Sequence, residues 1–277
     1  MGKVKIKKKS TLIDMTAMSD VTVLLLTFFM LTSTFIQKEP TTVRTPSSVS
    51  VEAIPAKDLV TILVSAADPN DKSGDPTLTE GKIFLAFQGD STIKSEDLRK
   101  DILKAAISTY NQRHPSKKLS NPTEAQIDAF SKIQMFGVPF ESLYEVLDMD
   151  PVARDKYLSD IQNPKVGIPI NDNKEKKVEK YNEFQIWMDA LAKVAQKGRT
   201  DAIEKNKLDE YNDADKEKIR DLDILYNAIY QGNSIAVKAD KDTPFMTIHR
   251  VFDNLQTMGL NKFNMITNLK AEEAVKD

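Results

Sequence analysis

The chain has 277 residues, 39 Lys+Arg against 41 Asp+Glu for a formal net charge of −2, and no cysteine. Disulfides, thiolate metal sites and cysteine nucleophiles are therefore excluded, and interspersed charges of both signs leave no basic stripe of the kind that tracks a phosphate backbone, which argues against nucleic acid as a partner. One long apolar run lies near the N-terminus, and the remaining length is enough for one substantial domain or two small ones at the usual ~100–200 residues each.

Lys3, Lys5, Lys7, Lys8 and Lys9 precede that run, which extends from Met15 to Ile36. As a helix it would rise about 33 Å at ~1.5 Å per residue, matching the ~30 Å hydrocarbon core of a bilayer. A cleaved signal peptide shares the basic start, but its apolar core is about 7–15 residues long and ends at a small-residue site. In this chain the core is longer, contains an acid and closes on Thr-Phe-Ile-Gln-Lys-Glu. The expectation is an uncleaved single transmembrane helix over 14–37, with the basic residues 1–13 in the cytoplasm and everything beyond on the other side.

Asp20 is the informative residue of this run. A carboxylate facing lipid costs roughly 2.5–3.5 kcal/mol even on the most lenient scale, so an intramembrane acid is a functional-site hypothesis by default. At about 100° per residue, Thr16, Asp20, Thr27 and Thr34 fall in one stripe roughly 40° wide, a face suited to a polar cavity or a partner helix. Against this, Thr and Ser are common in membrane helices, and Asp20 is only about 9 Å from the helix start, close enough to snorkel to the cytoplasmic interface.

Residues 38–48, rich in Pro, Thr and Ser, read as a linker. Val49-Ser-Val-Glu-Ala-Ile-Pro55 alternates apolar and polar, with Val49, Val51 and Ala53 on one side, and predicts a short edge strand closed by proline. Asp68 to Pro76 reads as a loop. Two later segments share one layout. Lys82 to Asp90 is a strand followed by a helical pattern at Leu98, Ile102, Leu103, Ala106 and Ile107; Ser234 to Asp240 is a strand followed by one at Ile248, Val251, Phe252, Leu255 and Met258. Thr243 is the expected N-cap of the second helix with Pro244 at its first position, and Gly259 its stop, before a strand over Lys262 to Thr267.

Between these units, Ile127, Phe130 and Ile133, then Phe140, Leu143, Tyr144 and Leu147, then Phe184, Trp187, Met188 and Leu191 recur at helical spacing. They predict an inserted helical subdomain over 114–220 whose aromatic and Met stripes are core rather than a ligand box. The mixed charge run from Asp172 to Lys180 reads as a solvated stretch. His114 and His249 are far apart, and no Ser/His/Asp signature or metal spacing appears, so neither catalysis, a cofactor nor a metal is expected. The fold class expected is α+β: helices on one sheet, built from two β-α units and a final strand over 49–113 and 221–277.

The run Ile13-Asp-Met-Thr-Ala-Met-Ser-Asp-Val21 with its apolar continuation to Met30, the Val-x-Val-x-x-x-Pro strand at Val49 to Pro55 and the turn Ala239-Asp-Lys-Asp-Thr-Pro244 resemble the ExbD/TolR biopolymer-transport proteins of Gram-negative inner membranes. The family usually has Asn in place of Asp14 and Pro in place of Ala17, and it lacks the insertion. The resemblance implies a single-pass inner-membrane chain, N-terminus cytoplasmic and C-terminal domain periplasmic. It implies a homodimer inside a ring of ExbB/TolQ-like multi-span partners, with Asp20 carrying protons down their gradient and Thr16, Thr27 and Thr34 facing the ring. The periplasmic client would be a TonB-like transducer paired at Val49, Val51 and Ala53, or the peptidoglycan cell wall. A TolR-like envelope-integrity role, and a signal-anchored structural protein in which Asp20 only pairs helices, are the alternatives.

Overall fold

The computed structural model describes residues 15–32, 39–48, 60–67, 81–89, 94–171, 181–203, 222, 224–231 and 234–269. It divides into two compact units, Met1–Gln37 and Lys38–Asp277. In the first, α1 runs over Met15–Thr32, 18 residues, a rise of about 27 Å. That is shorter than the expected span over 14–37, and among the described residues no helix is long and apolar enough to cross a membrane. Thr34 and the rest of that span lie outside the described residues.

The second unit is α+β, as the alternating strand and helix patterns predict. Its four-stranded sheet contains β2 (Val60–Val64), β3 (Ile83–Phe87), β4 (Ile235–Ala239) and β5 (Asn264–Met265) in the order β3-β2-β4-β5. β2 runs antiparallel to β3 and parallel to β4, with Ile62 opposite Leu85 on one side and Val237 on the other. A separate parallel pair joins β1 (Ser47–Ser48) to β6 (Asn268–Leu269). β2 is the strand that periodicity missed. All five of its residues are buried, and a central strand covered on both faces loses the alternation that marks a half-exposed one. The expected strand at Val49 to Pro55 and the loop at 68–76 lie outside the described residues.

The helices are α2 (Ser95–Arg113), α3 (Glu124–Lys132), α4 (Phe140–Leu147), α5 (Pro151–Ser159), α6 (Glu183–Ile203), α7 over 224–231 and α8 (Phe245–Thr257). Their ends follow local chemistry. Thr123 and Gln126 form a capping box on α3, Asp150 caps α5 with Pro151 behind it, and Asn182 and Gln185 exchange side-chain bonds to each other's amides at the start of α6; each satisfies amides that a helix leaves unpaired. On α2 the expected positions Leu98, Ile102, Leu103, Ala106 and Ile107 are all buried. Gly259 has φ +80°, the left-handed stop expected of it. Thr243, however, is not the N-cap of α8. Its hydroxyl donates to the Ser65 carbonyl at 3.1 Å, and Pro244 takes the cap position without a side-chain bond.

Among the described residues of 114–220 the helices share their apolar core with the sheet, in one large cluster and in a smaller one that joins Met135 and Val166 to Leu63, Phe84 and Ala86. Trp187, fully buried, stacks between Phe130 at 5.6 Å and Phe140 at 4.9 Å and meets Phe136 edge-on at 4.6 Å. Phe136 in turn bridges Leu85 by two backbone bonds of 2.8 and 2.9 Å, and Ile168 donates to Ile83 at 2.9 Å. The outer edge of β3 is thus covered by the helical segment, which removes an open template for strand pairing. Gly137 permits this approach: a Cβ there would lie 2.5 Å from the Phe84 ring and 2.7 Å from the Ile83 carbonyl oxygen.

Candidate functional site

On α1, Thr16, Asp20 and Thr27 are exposed. They keep the shared stripe, with Asp20 and Thr27 about 10 Å apart along the axis at ~1.5 Å per residue. The Thr27 hydroxyl donates to the Leu24 carbonyl at 2.9 Å, and Thr22 donates to Met18 and Ser19 at 2.9 and 2.8 Å. Such back-bonding lets a hydroxyl sit in an apolar setting without an external partner. The stripe therefore lies on one face without Thr27 reaching the carboxylate. Beyond that stripe the exposed surface of α1 is largely apolar, with Val21, Leu24, Leu25, Leu26, Phe28, Phe29 and Leu31 all more than half exposed and the hydroxyl residues Ser19 and Thr22 exposed among them.

A second cluster lies in the other unit, at the C-terminal end of β4. Asp240 is 5% exposed. Its Oδ2 accepts the Arg44 amide at 2.7 Å and its Oδ1 the Asp242 amide at 3.0 Å, while its own amide donates to Val64 at 3.1 Å. Lys241 N–H donates to the Arg44 carbonyl at 2.8 Å, and the Arg44 guanidinium reaches Asp242 at 3.0 Å. Within β4 itself, Lys238 holds both oxygens of Glu39 at 2.6 and 2.8 Å. Residues 39–48 are therefore no free linker. Charge-assisted bonds, the stronger kind, strap them to β4, and the run Ala239-Asp240-Lys241 singled out in the sequence is the buckle of that strap.

Val49, Val51 and Ala53, the expected edge for a partner strand, lie outside the described residues. The adjacent Ser47 and Ser48 already pair with Asn268 and Leu269 of the same chain. β5 is the outer strand of the main sheet, paired to β4 alone among the described residues, and carries the exposed Met265. Its two-residue length offers no alternation by which the sequence could single it out as an edge.

A family model described as biopolymer transport protein ExbD/TolR matches residues 7–148, just over half of the chain. The matched region holds α1 with Asp20, the strap, β2, β3 and α2 through α4; the Asp240 turn lies beyond it. No curated protein and no solved structure matches the chain.

Proposed function

Because the chain belongs to the ExbD/TolR family of biopolymer transport proteins, we propose that it is the proton-motive-force-driven subunit of an inner-membrane machine, working within an ExbB/TolQ-like multi-span ring to energise TonB-dependent transport across the outer membrane. The observation that carries this reading is Asp20 set in a helix whose other faces are exposed and largely apolar. In sequence the apolar run continues through Phe35 and Ile36, and we read the whole of 14–37 as a single pass, with the lysine-rich start cytoplasmic and Lys38–Asp277 periplasmic.

In this mechanism Asp20 alternates between a protonated form that tolerates an apolar collar and an ionised form that seeks a hydroxyl or water. A unit charge moving across ~100 mV releases about 2.3 kcal/mol, comparable to the cost of baring the carboxylate, so the gradient is sufficient to drive the exchange. Two copies in the ring would present two such acids. Motion that arrives along the chain at Glu39 passes into β4 through the Lys238 and Asp240 bonds, and a strapped segment transmits force where a slack linker would absorb it.

The test is Asp20→Asn at matched expression, with copurification of the ring checked in the same strains. Loss of energised uptake with the complex intact is the expected result; full uptake sinks the proposal. Loss of envelope integrity with uptake preserved would move the chain to the TolR-like client.

A further inference from the structure

Arg154 is buried to 5% exposure on α5, and its Nε has no hydrogen-bond partner. Among the described residues no carboxylate forms an ion pair with it. A guanidinium at this exposure without a counter-charge is costly, because its desolvation is not offset by pairing and its Nε has neither water nor an acceptor. Arg99, another buried arginine with an unpartnered Nε, at least reaches the Phe87 carbonyl at 3.5 Å.

Arg154 lines a pocket of about 190 Å³ formed where the strap, the end of α3 and α5 converge. Lys132, whose Nζ donates to Asp128 Oδ2 at 2.7 Å, contributes a second cation to its rim. The walls are apolar at Ile133 and Leu158 and acidic at Glu39 and Asp155. The Glu39 carboxylate is bonded through both oxygens to Lys238 and forms no ion pair with Arg154 among the described residues.

We propose that this pocket is a binding site for a small organic carboxylate, its head held by Arg154 with Lys132 at the mouth and its short aliphatic part against Ile133 and Leu158. A planar guanidinium matches a carboxylate with two parallel N–H···O bonds. The two acidic residues of the lining select for a singly charged head over a doubly charged phosphate, since each added negative charge is repelled at close range. The pocket volume suits a head with a chain of a few carbons. Because Glu39 and Arg154 share this pocket, an occupant would touch the strap and α5 at once, and would tie the start of the unit to the segment that covers β3.

The experiment uses the full chain in detergent, with sodium butyrate as the probe and the fluorescence of Trp187, the one tryptophan of the chain, as the readout of thermal unfolding. Butyrate is expected to raise the unfolding midpoint saturably. Butanol at the same concentration should have no such effect, and inorganic phosphate at the same ionic strength should bind at least tenfold more weakly. Arg154→Gln should weaken butyrate binding at least tenfold. Should that buried substitution prevent folding, Lys132→Glu decides: its side chain is 60% exposed, so the fold is retained while the rim becomes repulsive and affinity falls severalfold. Absence of a saturable response in the unaltered chain overturns the proposal, as does unchanged affinity in Lys132→Glu. Phosphate binding as tight as butyrate would overturn the carboxylate assignment.

Discussion

Asp240 Oδ2 accepts the backbone N–H of Arg44 at 2.7 Å across 196 residues of sequence. The bond joins the strap to the central sheet inside a site where Asp240 is almost fully buried. Truncating the acid leaves two amides, those of Arg44 and Asp242, without their acceptor. Hydrogen bonds to charged groups contribute about 1.5–3 kcal/mol, and a buried amide left unpaired costs about 1–3. Asp240→Ala should therefore lower unfolding stability by roughly 2–4 kcal/mol in denaturant titration. Asp240→Asn, which keeps one acceptor, should lose less. Equal stability of all three would show that the strap is not held at this residue.

Glu183 gives the domain a pH dependence of unusual sign. Its carboxyl accepts the Phe140 amide at 2.8 Å at the start of α4. Burial pushes its pKa from 4.5 up to about 7, the Phe140 amide opposes the rise and Glu141 adds to it. A carboxyl whose folded pKa lies above its unfolded value binds more protons when folded, so its contribution favours folding at low pH and is lost as pH rises from about 4.5 to about 7. At ~1.4 kcal/mol per unit the loss is at most about 3 kcal/mol. Stability measured at pH 5 and pH 8 should differ in that direction. Glu183→Gln, which can still accept from Phe140, should flatten the profile and be the more stable form at pH 8. An unaltered slope in that variant would reject the assignment.

Thr27→Val separates the stripe from the acid. Because the Thr27 hydroxyl is already bonded to the Leu24 carbonyl, its loss removes a back-bond and no contact to Asp20. Energised uptake in cells carrying Thr27→Val should stay within about twofold of the unaltered chain, a barrier change under roughly 0.5 kcal/mol. Abolished uptake with normal assembly would instead give the hydroxyl a direct part in the proton path.

Trp187 ties the helices of 124–203 to the sheet, so the fold should lose them together. Trp187→Ala opens a cavity between Phe130, Phe136 and Phe140 and should cost about 3–5 kcal/mol. Gly137→Ala attacks the same junction from the backbone: its Cβ would press on the Ile83 carbonyl, which cannot rotate away, and overpacking of this kind costs about 1–3 kcal/mol. Circular dichroism melts of both variants should show one cooperative transition at a lower midpoint. Two separate transitions would mean that the helical segment folds as an independent body.

Features that the chain determines locally were legible before folding. The apolar run with Asp20, the α2 and α8 faces, the strands at 83–87 and 235–239 and the stop at Gly259 follow from periods of 3.6 and 2 and from backbone chemistry, which act over a few residues. The core roles of Phe130, Phe140 and Trp187 were legible for the same reason. Tertiary structure decided the rest. β2 became the centre of the sheet because both its faces are covered, a fact that no local pattern records. Thr243 turned from the helix that its position suits it to cap toward Ser65, and residues 39–48 left the role of linker because Asp240 and Lys238 wait nearly 200 residues further on. Nothing in the local sequence singles out Arg154. Only packing removes it from water without supplying a counter-charge, since burial and pairing are properties of the assembled neighbours and not of the residue.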